Sequence, residues 1–311
     1  MKKKRLLFTG GGGAGNEAIW RLLSHKYDLY FVDADIANID PKIPDSIKFK
    51  IPLASSKHFC KSLIALCEDL RIDVLIPSVD EELTSLANTS PKKNSFDIML
   101  PHKEYVSTML DKLTMIRALQ DKHLDVPETK MLSEDIANFN YPCIIKPRSG
   151  RGSRGVFSVK SREEVESYKN KIVHAMDSYV IQQQKFGSEY TVQMIANHEG
   201  KLIHVVPIKV FSKKGVTIKA RIDKNEAVMS ACRLVHENIP SRGTYNIQLI
   251  LTDEDNVFPF EINPRISTTF CLAIAAGIDP IEVYINGVNS NYSEDFKNQK
   301  QLNRHWHNHF S

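Results

Sequence analysis

Two segments of the chain carry side chains whose types and spacing suit phosphate and metal chemistry. The first is Lys146, at the end of an apolar run, followed by a loop of glycine, serine and arginine that ends at Gly155. Such a loop can fold its backbone N–H groups over phosphates while the lysine neutralises their charge. The lysine precedes the glycines and no G-K-[ST] follows, so this is not a Walker A loop. A solvated hairpin is the alternative, although a lysine ending an apolar run is costly to bury without a partner.

The second segment reads Glu-Ile-Asn-Pro-Arg over residues 261–265 and ends a predicted strand. Strand alternation puts Glu261 and Asn263 on the same face, and two oxygen donors on one face suit magnesium. Gln248 lies on the preceding predicted strand, so a hairpin pairing would bring its amide oxygen to the same metal. Arg265 lies just beyond and could meet a transferring phosphoryl group. From this segment alone, an edge-strand salt bridge is the alternative.

Before about residue 100, the elements that must position these side chains form a regular alternation. Short apolar runs that predict strands, such as 28–33 and 74–77, are separated by amphipathic segments with helical spacing, such as 16–25 and 57–70. Strands that alternate with helices imply a parallel sheet with right-handed crossovers. This part is therefore predicted to be a small doubly wound domain.

From Leu110 onwards the pattern changes to strands that alternate, as antiparallel strands with one solvated face do. The segments 142–147 and 156–159 are predicted to pair as a hairpin whose tip is the glycine-rich loop. The last stretch, 286–311, is polar and weakly patterned, and it is predicted to be a solvated tail, with metal binding by His305, His307 and His309 as the alternative.

A second glycine loop, Gly10–Gly15, satisfies the dinucleotide pattern G-x-G-x-x-G after a strand and before a helix, and Asp33 ends the next strand. Glycines let a backbone approach a ligand, and a helix N-terminus favours an anion, so a nicotinamide cofactor is one interpretation. However, a run of four glycines fits many templates, and no later segment supplies a clear nicotinamide site. A tight strand-to-helix turn, or a site for a second substrate, is the favoured interpretation.

Composition narrows the class of protein. The chain has 311 residues, 41 basic and 37 acidic, which suits two or three packed subdomains and gives a net charge of only +4. The basic cluster at 2–5 leads directly into a predicted strand and no basic stripe follows, so no nucleic-acid partner is expected. Five scattered cysteines without a C-x-x-C pair favour a reducing compartment. No apolar run approaches the roughly 20 residues that span a bilayer, so a cytoplasmic enzyme without a membrane partner is predicted.

Together these parts resemble the ATP-grasp superfamily, most closely its carbamoyl-phosphate synthase-like branch. The resemblance covers nearly the whole chain and depends on the order of its motifs. These are Asp111-Lys112 opening a helix, Tyr141-Pro142-x-Ile144-Ile145-Lys146-Pro147, the glycine-rich loop, Gly187-Ser188-Glu189-Tyr190-Thr191-Val192, and Glu261-x-Asn263-Pro264-Arg265.

The resemblance implies a fold of mixed α/β and α+β class. A Rossmann-like N-terminal (pre-ATP-grasp) domain would span residues 1–105. The two-lobed ATP-grasp fold would follow, with a small lobe at 106–190 (core about 115–183) and a large lobe at 191–311 that carries the metal site. ATP would lie between the two lobes.

The resemblance also implies a role for each motif residue. Lys112 and Lys146 would contact the ATP phosphates, and Arg265, catalytic together with Lys146, would stabilise the transferred phosphoryl. The loop residues Gly150, Gly152, Ser153 and Gly155 would close over the phosphates. Adenine would be held by Gln182, Gln183 and Lys185, and the ribose by Glu189. Magnesium or manganese would be bound by Gln248, Glu261 and Asn263.

The implied activity is an ATP- and magnesium-dependent ligation of a small-molecule carboxylate to an amine, with release of ADP and phosphate. A carboxylate is a poor electrophile, whereas its acyl phosphate has a good leaving group that an amine can displace. In this chemistry the protein mainly supplies positioning and electrostatic stabilisation. A homodimer is left open.

The sequence departs from the family pattern at two places. Bicarbonate-using carbamoyl-phosphate synthases have N-P-R-x-S-R, and Thr268 stands where that second arginine would be, which favours a stand-alone ligase for another acid. The adenine segment lacks the glutamate often found there. Arg221 and Arg233, on predicted strands facing the cleft, are candidates for binding an anion, with ordinary surface charge as the alternative. The rival functions are bicarbonate use, a catalytically silent ATP-binding sensor or scaffold, and a nicotinamide-dependent dehydrogenase.

Overall fold

Residues 2–89, 95–150, 152, 154–287 and 291–305 are described by a computed structural model of the chain. In the N-terminal part, parallel strands alternate with helices. The elements are β1 (Arg5–Phe8), α1 (Asn16–Leu23), β2 (Asp28–Asp33), β3 (Lys48–Lys50), α2 (Phe59–Asp69), β4 (Val74–Ile76), α3 (Asp80–Ala87), β5 (Asp97–Ile98) and α4 (Lys103–Leu110), with 3₁₀ turns at Ile36–Asn38 and Asp45–Ile47. The strand order is β3-β2-β1-β4-β5, which confirms the predicted doubly wound sheet.

Strand β1 lies in the middle of this sheet, where its Leu6, Leu7 and Phe8 have no exposed surface. A strand buried on both faces needs a continuous apolar run, which is what its sequence provides. Leu6 and Phe8 pack with α1, and Leu7 packs with α2. The strand order reverses between β1 and β4, and ligands of such sheets bind beyond the carboxyl ends of the strands at that point. The Gly10–Gly15 loop follows β1 there.

A small antiparallel sheet follows, in the order β6-β9-β7-β8, and it carries the glycine-rich hairpin. The elements are α5 (Lys112–Gln120), β6 (Thr129–Met131), β7 (Cys143–Pro147), β8 (Phe157–Val159), α6 (Arg162–Lys171), a 3₁₀ turn at Val173–Ser178 and β9 (Tyr179–Gln183). Cys143 pairs with Val159, which confirms the predicted hairpin. Helix α5 begins at Lys112 because the Asp111 carboxylate caps it, accepting from the N–H groups of the next turn at 3.0 and 3.2 Å.

The large antiparallel sheet has the order β14-β13-β10-β11-β12-β15. Its elements and their helices are β10 (Ser188–Ala196), β11 (Leu202–Lys214), β12 (Val216–Ile222), α7 (Glu226–Asn238), β13 (Thr244–Leu251), β14 (Val257–Asn263), α8 (Phe270–Ala275), α9 (Pro280–Asn286) and β15 (Gln301–Asn303). The single solvated face expected of these strands is wrong for β10. Helices α5 and α7 cover one of its faces and α8 covers the other, so most of the strand is buried.

The C-terminal segment packs back onto the N-terminal domain. Phe270 of α8 and Tyr284 of α9 share a core with Leu6 and Phe8 of β1. Most residues of the described part of the expected solvated tail are exposed, but it is not a free tail, because β15 pairs with β12 and extends the large sheet. The five cysteines are free thiols. Within the described ranges, no helix is both long and apolar enough to cross a membrane.

Candidate active site

A cleft of about 290 Å³ lies between the small and the large sheet. It collects residues that the sequence analysis took from separate motifs, on α5, the hairpin, β9 and three strands of the large sheet. The predicted site residues that line it are Lys112, Lys146, Gly150, Gly152, Gln182, Gln183, Lys185, Glu189, Gln248 and Glu261. The fold therefore brings Lys112 and Lys146 into one cavity with two candidate metal residues, Gln248 and Glu261, whereas the third, Asn263, lines an adjoining cavity.

Lys146 is the most confined cation of this cleft, with only 5% of its surface exposed. Its Nζ donates to Gln182 Oε1 at 2.8 Å and to the Phe260 carbonyl at 3.3 Å. Gln182 is itself oriented by donating Nε2 to Thr129 Oγ1 at 2.8 Å, so its amide serves to hold the lysine. Burial lowers the pKa of Lys146 to about 8, against the opposing effect of the Glu261 charge. An anion bound here would stabilise a poorly solvated ammonium group.

Lys112 ties the start of the glycine-rich loop to α5. Its Nζ donates to the Gly150 carbonyl at 2.8 Å, and its backbone N–H donates to the Arg148 carbonyl at 2.9 Å. The Arg148 guanidinium in turn pairs with the capping carboxylate of Asp111, with Nε to Oδ2 at 3.1 Å. These contacts anchor the base of the loop beside the two lysines.

The glycines of the loop differ in position. Gly150 and Gly152 have positive φ and open space where a side chain would be, so their backbone can approach a ligand. Gly155 also has positive φ, but it packs against Pro147 at the base of the hairpin and does not line the cleft. Ser153 lies outside the described residues.

The large sheet presents two rows of polar side chains beside this cleft. Residues that are directly opposite on neighbouring antiparallel strands share a face. The predicted hairpin pairing of β13 with β14 is confirmed, and in it Gln248 lies opposite Glu261. Asn263 donates Nδ2 to Asn246 Oδ1 at 3.3 Å, which leaves the side-chain oxygen Oδ1 of Asn263 as an acceptor. Across β10, β13 and β14, the rows are Thr191-Gln248-Glu261 and Gln193-Asn246-Asn263.

Lys213 is a cation of the cleft that the sequence analysis missed. It lies near the end of β11, where its Nζ forms an ion pair with Glu189 and donates to Gln248 Oε1 at 3.3 Å. One ammonium group thus holds the predicted ribose ligand and a predicted metal ligand. No local pattern marks Lys213, because only the pairing of β10 with β11 brings it there.

Arg265 lies beyond the cleft and lines two adjoining cavities, of about 350 and about 840 Å³. Its Nε forms an ion pair with Asp80 at the start of α3, and its Nη1 donates to the Ile266 carbonyl at 2.9 Å. The larger cavity is bounded by the Gly10–Gly15 loop, and Arg154 of the hairpin lines both cavities and the cleft. The candidate site therefore extends from the cleft to the switch point of the N-terminal sheet.

Three consecutive N–H groups of the Gly10–Gly15 loop are bonded within the protein. Gly11 donates to the Val32 carbonyl at 2.8 Å, Gly12 to the Asp33 carboxylate at 2.9 Å and Gly13 to the Gly10 carbonyl at 2.8 Å. These N–H groups are then unavailable to cradle a pyrophosphate, which argues against a dinucleotide.

The end of the same loop is packed against the segment that follows Arg265. A Cβ on Gly15 would lie 2.9 Å from the Thr268 carbonyl oxygen, so only glycine allows this approach. Arg304 donates to the Thr217 carbonyl at 2.8 Å and to the carbonyls of Ala14 and Thr268. The loop therefore packs the N-terminal parallel sheet against the segments that follow β14 and β15.

Gly15→Ala should lower the free energy of unfolding by about 1–3 kcal/mol, because the added methyl meets a backbone oxygen that cannot rotate away. Urea unfolding of the variant and the wild type measures the change. An unchanged midpoint and slope would contradict a tight contact between Gly15 and Thr268.

The two arginines considered as anion ligands are not part of this site. Arg233 lies on helix α7, not on the predicted strand, and pairs with Glu226 and with Glu294, the latter at 3.1 Å. Arg221 does lie on a strand, β12, but its guanidinium stacks over the Phe211 ring at 5.5 Å. Neither lines the cleft or the adjoining cavities.

Comparisons with known proteins agree with this architecture. Residues 109–269 match the ATP-grasp domain family. A D-alanine–D-alanine ligase of Petrotoga mobilis is 26% identical over 182 residues. The match covers 52% of this chain and 61% of the length of that protein. The structure of a Campylobacter jejuni biotin carboxylase–ATP complex matches 96% of the chain and 74% of its own length with a TM-score of 0.75 at 18% identity. An L-amino acid ligase from Bacillus licheniformis matches 95% and 77%, with a TM-score of 0.66 at 16% identity.

Proposed function

We propose that this chain, which belongs to the ATP-grasp family, is an ATP- and magnesium-dependent ligase that joins a small-molecule carboxylate to an amine. The observation that carries the proposal is the convergence of Lys112, Lys146 and Glu261 on one cleft. The names of two similar proteins, a D-alanine–D-alanine ligase and an L-amino acid ligase, support carbon–nitrogen bond formation. The closer likeness to carbamoyl-phosphate synthases and the roles of individual residues stay predictions.

The shape and polarity of the cleft support a nucleotide as its occupant. Ile144, Val156, Ile250 and Phe260 line it with apolar surface, as a flat base requires. The phosphates would lie toward the lysines and the open glycine backbone of the hairpin. The N–H groups of Gln183 and Gln184 are already bonded to the Glu128 and Pro142 carbonyls, so the adenine edge would meet other groups of this segment.

The donor set fits magnesium, or manganese, held together with the phosphates. Glu261 offers a carboxylate, and Gln248 and Asn263 offer amide oxygens, all hard ligands. The described residues contain no cluster of three or more His, Cys, Asp or Glu, so the protein alone offers only part of a coordination shell. This is typical of magnesium that is shared with a substrate phosphate. When bound, the ion would neutralise charge on the phosphates.

The proposed reaction has two steps. A carboxylate oxygen of the acid attacks the γ-phosphorus of ATP, the bond to the ADP oxygen breaks, and an acyl phosphate forms. The amine nitrogen then attacks the carbonyl carbon, the bond to the phosphate oxygen breaks, phosphate leaves and the nitrogen loses a proton. In both steps the protein supplies positioning and charge. Lys112 and Lys146 would hold the phosphates, and Arg265 would meet the transferring phosphoryl from the adjoining cavity.

The cavity of about 840 Å³ would receive the acid and the amine. Its cations are Arg154 of the glycine-rich hairpin, Lys214 at the end of β11 and Arg265 just beyond β14, whereas its N-terminal side carries the acids Asp33, Glu81 and Glu82. A carboxylate would therefore be favoured near Arg265, next to the phosphate site, and an amine near the acidic side.

The test is an ADP-release screen against pooled carboxylates and pooled amines with MgATP. We expect ADP and phosphate in equal amounts only when both an acid and an amine are present. ATP binding without ADP release across a broad panel would contradict the ligase and support a sensor or scaffold. A nicotinamide titration on the same protein should show no binding at millimolar concentration.

A further inference from the structure

The ion pair between Asp80 and Arg265 joins the N-terminal domain to the end of β14. The two residues are 185 positions apart, and their side chains are only 12% and 13% exposed. Asp80 is the first residue of α3, where the helix dipole favours a carboxylate. Arg265 is therefore held from outside its own lobe by a partner that is itself well fixed.

The contacts of Arg265 leave one nitrogen of its guanidinium, Nη2, for the site. Nε is bound by Asp80, Nη1 donates to the Ile266 carbonyl, and the Arg265 backbone carbonyl accepts Asn246 Nδ2 at 2.9 Å. A guanidinium is planar, with its N–H groups in fixed directions, so binding Nε and Nη1 fixes Nη2. In the part of the chain that the structure describes, Nη2 donates to no residue. Arg265 lines the two cavities that adjoin the cleft.

We propose that Asp80 is a positioning residue, which orients Arg265 so that Nη2 faces the phosphoryl group in transfer. This inference rests on the proposed function, because it assumes that Arg265 meets that group. Asp80 would touch neither substrate nor nucleotide and would act through Arg265. A donor displaced by about 1 Å can cost roughly 10²-fold in rate, so losing Asp80 should affect the transition state more than nucleotide binding.

The experiment measures binding of MgADP alone and of MgADP with fluoroaluminate, a mimic of the transferring phosphoryl, so it needs no knowledge of the acid or the amine. Wild type, Asp80→Ala, Asp80→Glu, Arg265→Ala and the double variant are compared by calorimetry. We expect the tighter binding that fluoroaluminate gives to wild type to fall about tenfold or more in Asp80→Ala, with MgADP alone within about twofold. The double variant should be no worse than Arg265→Ala, and Asp80→Glu should recover part of the gain.

The outcomes separate this inference from the proposed function. Wild type that binds no MgADP would overturn the proposed function and the inference with it. If wild type gains affinity from fluoroaluminate and Asp80→Ala keeps the whole gain, only the role of Asp80 is overturned. The same conclusion follows if the double variant loses the sum of both single losses, or if wild type binds MgADP and gains nothing from fluoroaluminate. If Asp80 is merely structural, Asp80→Ala should weaken binding of MgADP alone and of MgADP with fluoroaluminate equally. Thermal unfolding of each variant shows whether the fold is destabilised.

Discussion

Glu261→Gln is expected to lower the rate of ADP formation by on the order of 10²-fold or more, because it removes the one carboxylate among the proposed metal ligands. The variant keeps the size and the hydrogen-bonding shape of the side chain, so β14 should still pair with β13 through Gln248. Loss of the charge weakens the hold on a divalent cation and also removes an anion that favours protonated Lys146. The rate is measured as ADP release with the acid and amine found in the screen.

The matched control is Glu254→Gln, in the exposed turn that joins the same two strands. It makes the same chemical change on the same hairpin, away from the cleft, and should leave ADP release within about twofold, as surface substitutions usually do. The rate of Glu261→Gln should rise with magnesium concentration over a range in which the wild type is already saturated. Unchanged ADP release in Glu261→Gln would contradict the metal assignment and leave the nucleotide cleft itself untouched.

The shared face of the proposed metal ligands could be predicted because its geometry is local. Alternation along a strand fixes which residues share a face, so Glu261 and Asn263 needed only the strand to be recognised. The partner Gln248 followed from the short turn between β13 and β14, since a hairpin sets its own register. The doubly wound sheet could be predicted equally well, because buried parallel strands have continuous apolar sequences.

The contacts that complete the site are long-range and left no local pattern. Lys213 reaches Glu189 only through the pairing of β10 with β11, and Asp80 reaches Arg265 only when the N-terminal domain docks on the large lobe. Charged side chains on separate elements carry no mark of which partner they will meet. The sequence could therefore name the residues proposed to bind phosphate and metal, but not the residues that hold them in place.

Helix α7 is a different kind of error, because its signal was present. Val228, Cys232 and Val235 have helical spacing, and Asn225 caps the helix by accepting from the Val228 N–H at 3.0 Å. The prediction of strands around Arg233 overlooked this periodicity. The C-terminal strand β15 is the opposite case, because three residues of a polar segment become a strand only when β12 offers an edge.

Lys146→Met is expected to weaken MgADP binding by about 2–5 kcal/mol, because it removes a buried charge partner of the phosphates. Phosphates also favour the protonated ammonium, so binding to the wild type should weaken as pH rises above about 8, the pKa that burial imposes on the free protein. The methionine variant should lack that dependence. Calorimetric titration with MgADP at several pH values measures both effects. Equal affinity of the wild type and the variant would contradict the first effect, and wild-type affinity that stays constant to about pH 9.5 would contradict the second.

The same lysine should also appear in the pH dependence of stability. The pKa of Lys146 is 10.5 as a free side chain and about 8 in the fold. Between these values the unfolded chain binds the proton and the folded protein does not, so the free energy of unfolding rises with pH. From about pH 7.5 to about pH 9.5, wild type should gain about 2 kcal/mol relative to Lys146→Met, whereas the exposed control Lys160→Met should follow wild type. Urea unfolding at the two pH values measures the gain. If the difference in the free energy of unfolding between wild type and Lys146→Met is the same at both pH values, Lys146 is well solvated in the ligand-free protein.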